Sequence, residues 1–75
     1  MPRYRDRSGR SGVVAYETCP DAIVVGFRNG QVYLYNYATP GQQDVEKMKR
    51  LAVRGRGLST YISQVVRDRY AKRLR

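Results

Sequence analysis

Apolar and polar residues alternate from Ala22 to Arg28, which places Ile23, Val25 and Phe27 on one side of an extended segment. Asn29-Gly30 follows. Both residues tolerate the positive φ of a type I′ turn, so Gln31 to Tyr37 reads as the return strand of a hairpin. A two-residue turn sets Phe27 opposite Val32, Val25 opposite Leu34 and Val24 opposite Tyr35. On that register Ile23, Val25, Phe27, Val32 and Leu34 form the buried face. Tyr33, Tyr35 and Tyr37 stand on the other face, opposite smaller partners. The β-branched run Val13 to Glu17 predicts a first strand, and Thr18 to Asp21 a turn before the second.

After Thr39 the period of the pattern changes from that of a strand to that of a helix. Thr39 suits the N-cap and Pro40 the first helical position, and Gln42 three residues on completes a capping box. Val45, Met48, Leu51 and Ala52 make a buried stripe, with Lys47, Arg50 and Arg54 about opposite and Gly55 fitting the C-terminal cap. Leu58 to about Asp68 predicts a second helix with Leu58, Tyr61, Ile62, Val65 and Val66 in one arc. Arg69 falls on that arc, so the helix should stop near it or the arginine should bend its head back to water. The expected architecture is α+β: a three-stranded antiparallel β-meander followed by two helices packed on one face. Residues 13–75 form one domain behind a flexible basic arm, residues 1–12.

Composition narrows the function. Fifteen Lys and Arg, twelve of them Arg, face six Asp and Glu across 75 residues, a net charge of +9. Guanidinium groups present a planar fork of donors suited to phosphate, and so basic a domain attracts polyanions at long range. A single Cys19 and no His leave no ligand set for a structural zinc and no internal disulfide, so no metal or cofactor and a cytoplasmic setting are expected. The apolar runs are strand-sized, far from the ~20 residues of a membrane span.

The order Tyr16, Ile23-x-Val25-x-Phe27, Asn29-Gly30, Tyr33-Leu34-Tyr35, a capped helix, Arg54-Gly55-Arg56 and Arg67-Asp68-Arg69-Tyr70 resembles the KTSC family. That family is named for the C-terminal end of some lysyl-tRNA synthetases and also occurs as short stand-alone bacterial proteins. The resemblance spans roughly Val13 to Leu74, and its central mark is the Tyr-x-Tyr pair. It implies no enzymatic activity and a role in binding RNA. Two positions depart from the family pattern. Ala38-Thr39-Pro40 stands where a Val-Pro is usual, and Gly57-Leu58 follows Arg56 where an aromatic is usual.

The residues carry little that reads as catalysis. Asp44 and Glu46, two apart on a helix, do not face each other and read as partners of the helix dipole. Arg54-Gly55-Arg56-Gly57 lacks the Lys-Ser/Thr ending of a phosphate-binding P-loop and reads first as a turn between helices. No catalytic residue is expected. The expected function is a small binding module for RNA or single-stranded nucleic acid. Its phosphate contacts would come from Arg28, Lys47, Arg50, Arg54, Arg56, Arg67, Arg69, Lys72 and Arg73, with Tyr33, Tyr35 and Tyr37 as a stacking face. Against the stacking role stands the commoner use of an aromatic stripe, packing under a helix. The alternative function is a protein-interaction or accessory module, a homodimer or one docked on an acidic partner, with no nucleic-acid role.

Overall fold

The computed structural model describes residues 12–75, so the expected basic arm lies outside the described residues apart from Gly12. Strands β1 (Val13–Cys19), β2 (Ala22–Phe27), β3 (Val32–Asn36) and β4 (Lys72–Arg73) form one antiparallel sheet in the order β1-β2-β3-β4. Helix α1 (Gln42–Arg54) packs on β2 and β3. Helix α2 (Leu58–Tyr61) runs directly into a π-helical segment, Ile62–Val66. The meander followed by helices is therefore the architecture. To it the chain adds a fourth, two-residue strand along β3.

The β2–β3 hairpin differs from the two-residue turn that Asn29-Gly30 suggests. Phe27 N–H donates to the Gln31 carbonyl at 2.8 Å and Gly30 N–H to the Phe27 carbonyl at 2.9 Å. Arg28, Asn29 and Gly30 thus form the loop, with Gly30 alone at positive φ, 91°. This is the type I turn closed by a left-handed glycine, the usual three-residue hairpin. Asn29 holds it by accepting from Gln31 N–H at 3.0 Å through Oδ1. The register moves by one, pairing Val25 with Tyr33 and Ile23 with Tyr35. A slip of one residue exchanges the faces of a strand. Tyr33 and Tyr35 consequently lie on the helix-covered side with Ile23 and Val25, while Val32 and Leu34 lie on the other.

The core forms between that side of the sheet and the helices. Ile23, Val25, Tyr35, Val45, Met48, Ala52, Leu58, Ile62 and Val66 are buried together, and Phe27, Tyr33, Leu51, Tyr61 and Tyr70 pack around them half-buried. Val45, Met48 and Ala52 are the stripe that the helical spacing predicts. A valine or methionine side chain such as Val45 or Met48 is worth about 1.5–3 kcal/mol when fully removed from water.

Helix α1 begins two residues later than a cap at Thr39 would place it. Asn36 Oδ1 accepts from the N–H groups of Ala38 (3.0 Å) and Thr39 (2.8 Å), and Asn36 N–H donates to the Thr39 carbonyl at 2.8 Å. These bonds commit Thr39 to the turn that closes β3. The Thr39–Pro40 peptide is cis, and Gly41, at φ 124°, precedes the helix. At the far end Gly55 caps as expected: φ is 80° and its N–H reaches the carbonyls of Leu51 and Ala52. The second helix stops before Arg69. Arg67 N–H closes the π-turn on the Ile62 carbonyl, and Arg69 bends back to donate to the carbonyls of Val65 (Nη2, 2.8 Å) and Val66 (Nε, 3.3 Å). The chain then returns to the sheet, where Ala71 N–H donates to Leu34 and Leu74 N–H to Val32, both at 2.7 Å.

Candidate nucleic-acid interface

The return of the chain to β3 builds a pocket. Phe27 closes β2, Tyr33 stands one strand over on the same face, and Tyr70 arrives from the segment between the π-helix and β4. The Phe27 and Tyr33 rings meet edge to face, centroids 5.6 Å apart, and Tyr33 and Tyr70 sit 4.5 Å apart at 46°. With Tyr35, Ile62, Arg67 and Asp68 they line a cavity of about 240 Å³. Tyr33 Oη donates to Gln31 Oε1 at 2.8 Å, which fixes the ring in the wall.

Two groups in this pocket are energetically exposed. Tyr35 is 1% accessible, and among the described residues nothing accepts a hydrogen bond from its hydroxyl. Burial first, and then the neighbouring hydroxyls of Tyr33 and Tyr70, push its pKa up to about 12. A buried hydroxyl without a partner costs about 1–3 kcal/mol, so each one calls for an explanation. Arg67, at the rim, holds φ 55° and ψ −125°, a conformation that L residues avoid. Such a residue costs on the order of 1–3 kcal/mol, and strain of this kind clusters at functional sites, as do π-turns.

Arg73 pairs with Tyr33 across the β3–β4 ladder and so lies on the pocket's side of the sheet, exposed, its Nε donating to the Arg75 carbonyl at 2.9 Å. Arg28 is exposed in the hairpin loop directly after Phe27. A second basic group lies along α1. Glu46, Lys49, Arg50, Val53 and Arg54 line an open groove of about 390 Å³. Lys47, Arg50 and Arg54 are exposed at helical spacings that put them on one face.

The remaining expected contacts are dispersed or engaged. Tyr37 is held: its hydroxyl donates to Glu46 Oε2 at 2.7 Å, and Lys49 Nζ sits 5.8 Å above its ring. That hydrogen bond, and then Lys49, which lies 3.0 Å from Glu46, hold the Glu46 carboxyl below its ordinary range. Arg69 is tied to the helix end and to Asp44 at 3.4 Å. Arg56 is exposed in the interhelical turn, and Lys72 lies on the far face of the sheet, paired with Leu34. Tyr35 is too deeply buried to stack on a base. The three tyrosines therefore do not form an open platform, because the shifted register turns β3 over.

Phe27 and Tyr70 complete the pocket, although the sequence pattern gives Phe27 only a core role and Tyr70 none. Finding Tyr70 requires knowing that residues 71–74 rejoin the sheet, and a two-residue strand of Lys and Arg leaves no periodic signal. Among the described residues no helix is long and apolar enough to cross a membrane, and no group of three or more metal-ligating side chains gathers. A scan against family models finds no match, and comparison with curated proteins and with solved structures finds no similar chain.

Proposed function

We propose that this protein is a single-strand nucleic-acid-binding module, acting in the cytoplasm on RNA, that takes one unstacked base into the pocket of Phe27, Tyr33 and Tyr70. The observation that carries the reading is an aromatic-walled cavity of about 240 Å³, lined in part by the buried Tyr35, whose hydroxyl has no hydrogen-bond partner among the described residues, on a chain of net charge +9. The cavity is below the ~300 Å³ at which drug-sized pockets begin, which suits one planar ring system. The rings supply stacking, sequence-tolerant because every base has a π-face. The Tyr35 hydroxyl supplies one donor for an acceptor on the base edge. Arg67 and Arg73 take the flanking phosphates, and Lys47, Arg50 and Arg54 raise the local concentration of polyanion. RNA as the natural ligand is also what the likeness to the KTSC family implies. The reading is of binding without catalysis.

A titration of labelled single-stranded RNA and duplex DNA at two salt concentrations tests it. Single-stranded RNA should bind more tightly than duplex. Tyr70→Ala should weaken it by the worth of one stacked base, about 1–3 kcal/mol, without changing the salt slope. Arg67→Ala should lower the slope by about one. Absence of RNA binding at low salt, or a Tyr70→Ala variant that binds as the wild type does, sinks the reading.

A further inference from the structure

The helices cover one side of the sheet only, and the other side has an unusual composition for so basic a chain. Val24 is opposite both Glu17 and Leu34, and Leu34 is opposite Lys72, so the pairings align one transverse row across all four strands: Glu17, Val24, Leu34, Lys72. The middle pair is half-buried and apolar, and the two ends are exposed and of opposite charge. Val32 flanks the row and belongs, like Val24 and Leu34, to none of the packing around the core. Leu74, bonded to Val32 and 45% exposed, continues the apolar strip. No arginine stands at any strand position on this side.

We infer that this face, which no helix of the described residues covers, pairs with the same face of a second copy of the chain. A two-fold axis parallel to the strands, between β2 and β3, reverses the row against itself. Glu17 then meets Lys72 of the second copy, Val24 meets Leu34, and each contact occurs twice, as an isologous interface requires. Stacked sheets lie about 10 Å apart and neighbouring strands about 4.8 Å apart, so long side chains at the two edges span the gap while the middle closes on aliphatic carbon. Three rows across β1, β2 and β3, with the single Lys72 position on β4, cover about 330 Å² per copy on these spacings. Twice that lies below the roughly 1,000 Å² of total area at which a stable interface begins, so the association is weak and transient. Nucleic acid plays no part in it.

Charge exchange supplies the test. Sedimentation equilibrium of the full chain from about 5 μM to 1 mM should show a monomer–dimer equilibrium for the wild type, over concentrations that reach weak association. Glu17→Lys and Lys72→Glu each set like charges opposite one another and should weaken dimerisation at least about tenfold. The double variant restores both the pairing and the wild-type net charge, and should restore the dimer. Both positions are exposed, and circular dichroism checks that the variants fold. A wild type that stays monomeric to 1 mM overturns the inference. So does a dimer indifferent to either single exchange, or a double variant no better than the singles.

Discussion

The Tyr35 hydroxyl and the Arg67 backbone are the two places where a single residue is held at a cost. Removing the hydroxyl in Tyr35→Phe takes away a buried polar atom that lacks a hydrogen-bond partner among the described residues. The melting temperature should stay level or rise. RNA affinity should fall about two- to tenfold, the worth of one net hydrogen bond. Thermal melts paired with RNA titrations check both, and unchanged affinity removes Tyr35 from the contact. Arg67→Gly differs from Arg67→Ala in relieving the positive φ. It should raise stability by about 1 kcal/mol, or about 4–8 °C in a domain of this size. Like the alanine variant, it should lower the salt slope for RNA. Stability gained where binding is lost is the pattern expected of strain kept for function.

Between elements, the joint of α1 with the second helix depends on Asp44. Its Oδ1 accepts from the Tyr61 hydroxyl at 2.6 Å, and its Oδ2 lies 3.4 Å from Arg69 Nη2. Burial, and next this hydrogen bond, push the Tyr61 pKa up to about 12. A raised folded-state pKa means that the stabilisation is complete below the unfolded value near 10 and is lost as pH climbs through about 12. Wild-type melting temperature should therefore be level with respect to this group up to pH 10 and fall between 10 and 12, and Tyr61→Phe should fall less steeply over the same window. A spectrophotometric titration should show the Tyr35 and Tyr61 hydroxyls ionising at about pH 12.

At this scale most of the fold is legible in the sequence. The 3.6-residue spacing of Val45, Met48 and Ala52, the cap at Gly55 and the stop before Arg69 follow from local chemistry. The β2–β3 register does not, because Asn29-Gly30 serves a two-residue and a three-residue turn equally well. The choice turned on burial of the tyrosines beneath the helices, a non-local gain. The same slip hid the pocket, which needs Tyr33 on the core side and a wall supplied from more than 30 residues away by Tyr70.

Over the whole molecule, charge and aromatic chemistry divide. Arg50 and Arg54 line one groove along α1 that shares no lining residue with the cavity of Phe27, Tyr33 and Tyr70. Replacing both by Ala should lower the salt slope of RNA binding by about 2, one per phosphate contact, with little change in preference for single strands. An unchanged slope shows that the RNA runs elsewhere. Because the described helices occupy one side of the sheet only, two copies joined through their opposite sides would hold their pockets outward on opposite flanks. Such an assembly is divalent. A short oligonucleotide reaches one pocket and gains nothing from the second. A strand long enough to pass around the sheet edge engages both, and its second capture is governed by effective concentration, so apparent affinity should step upward with oligonucleotide length.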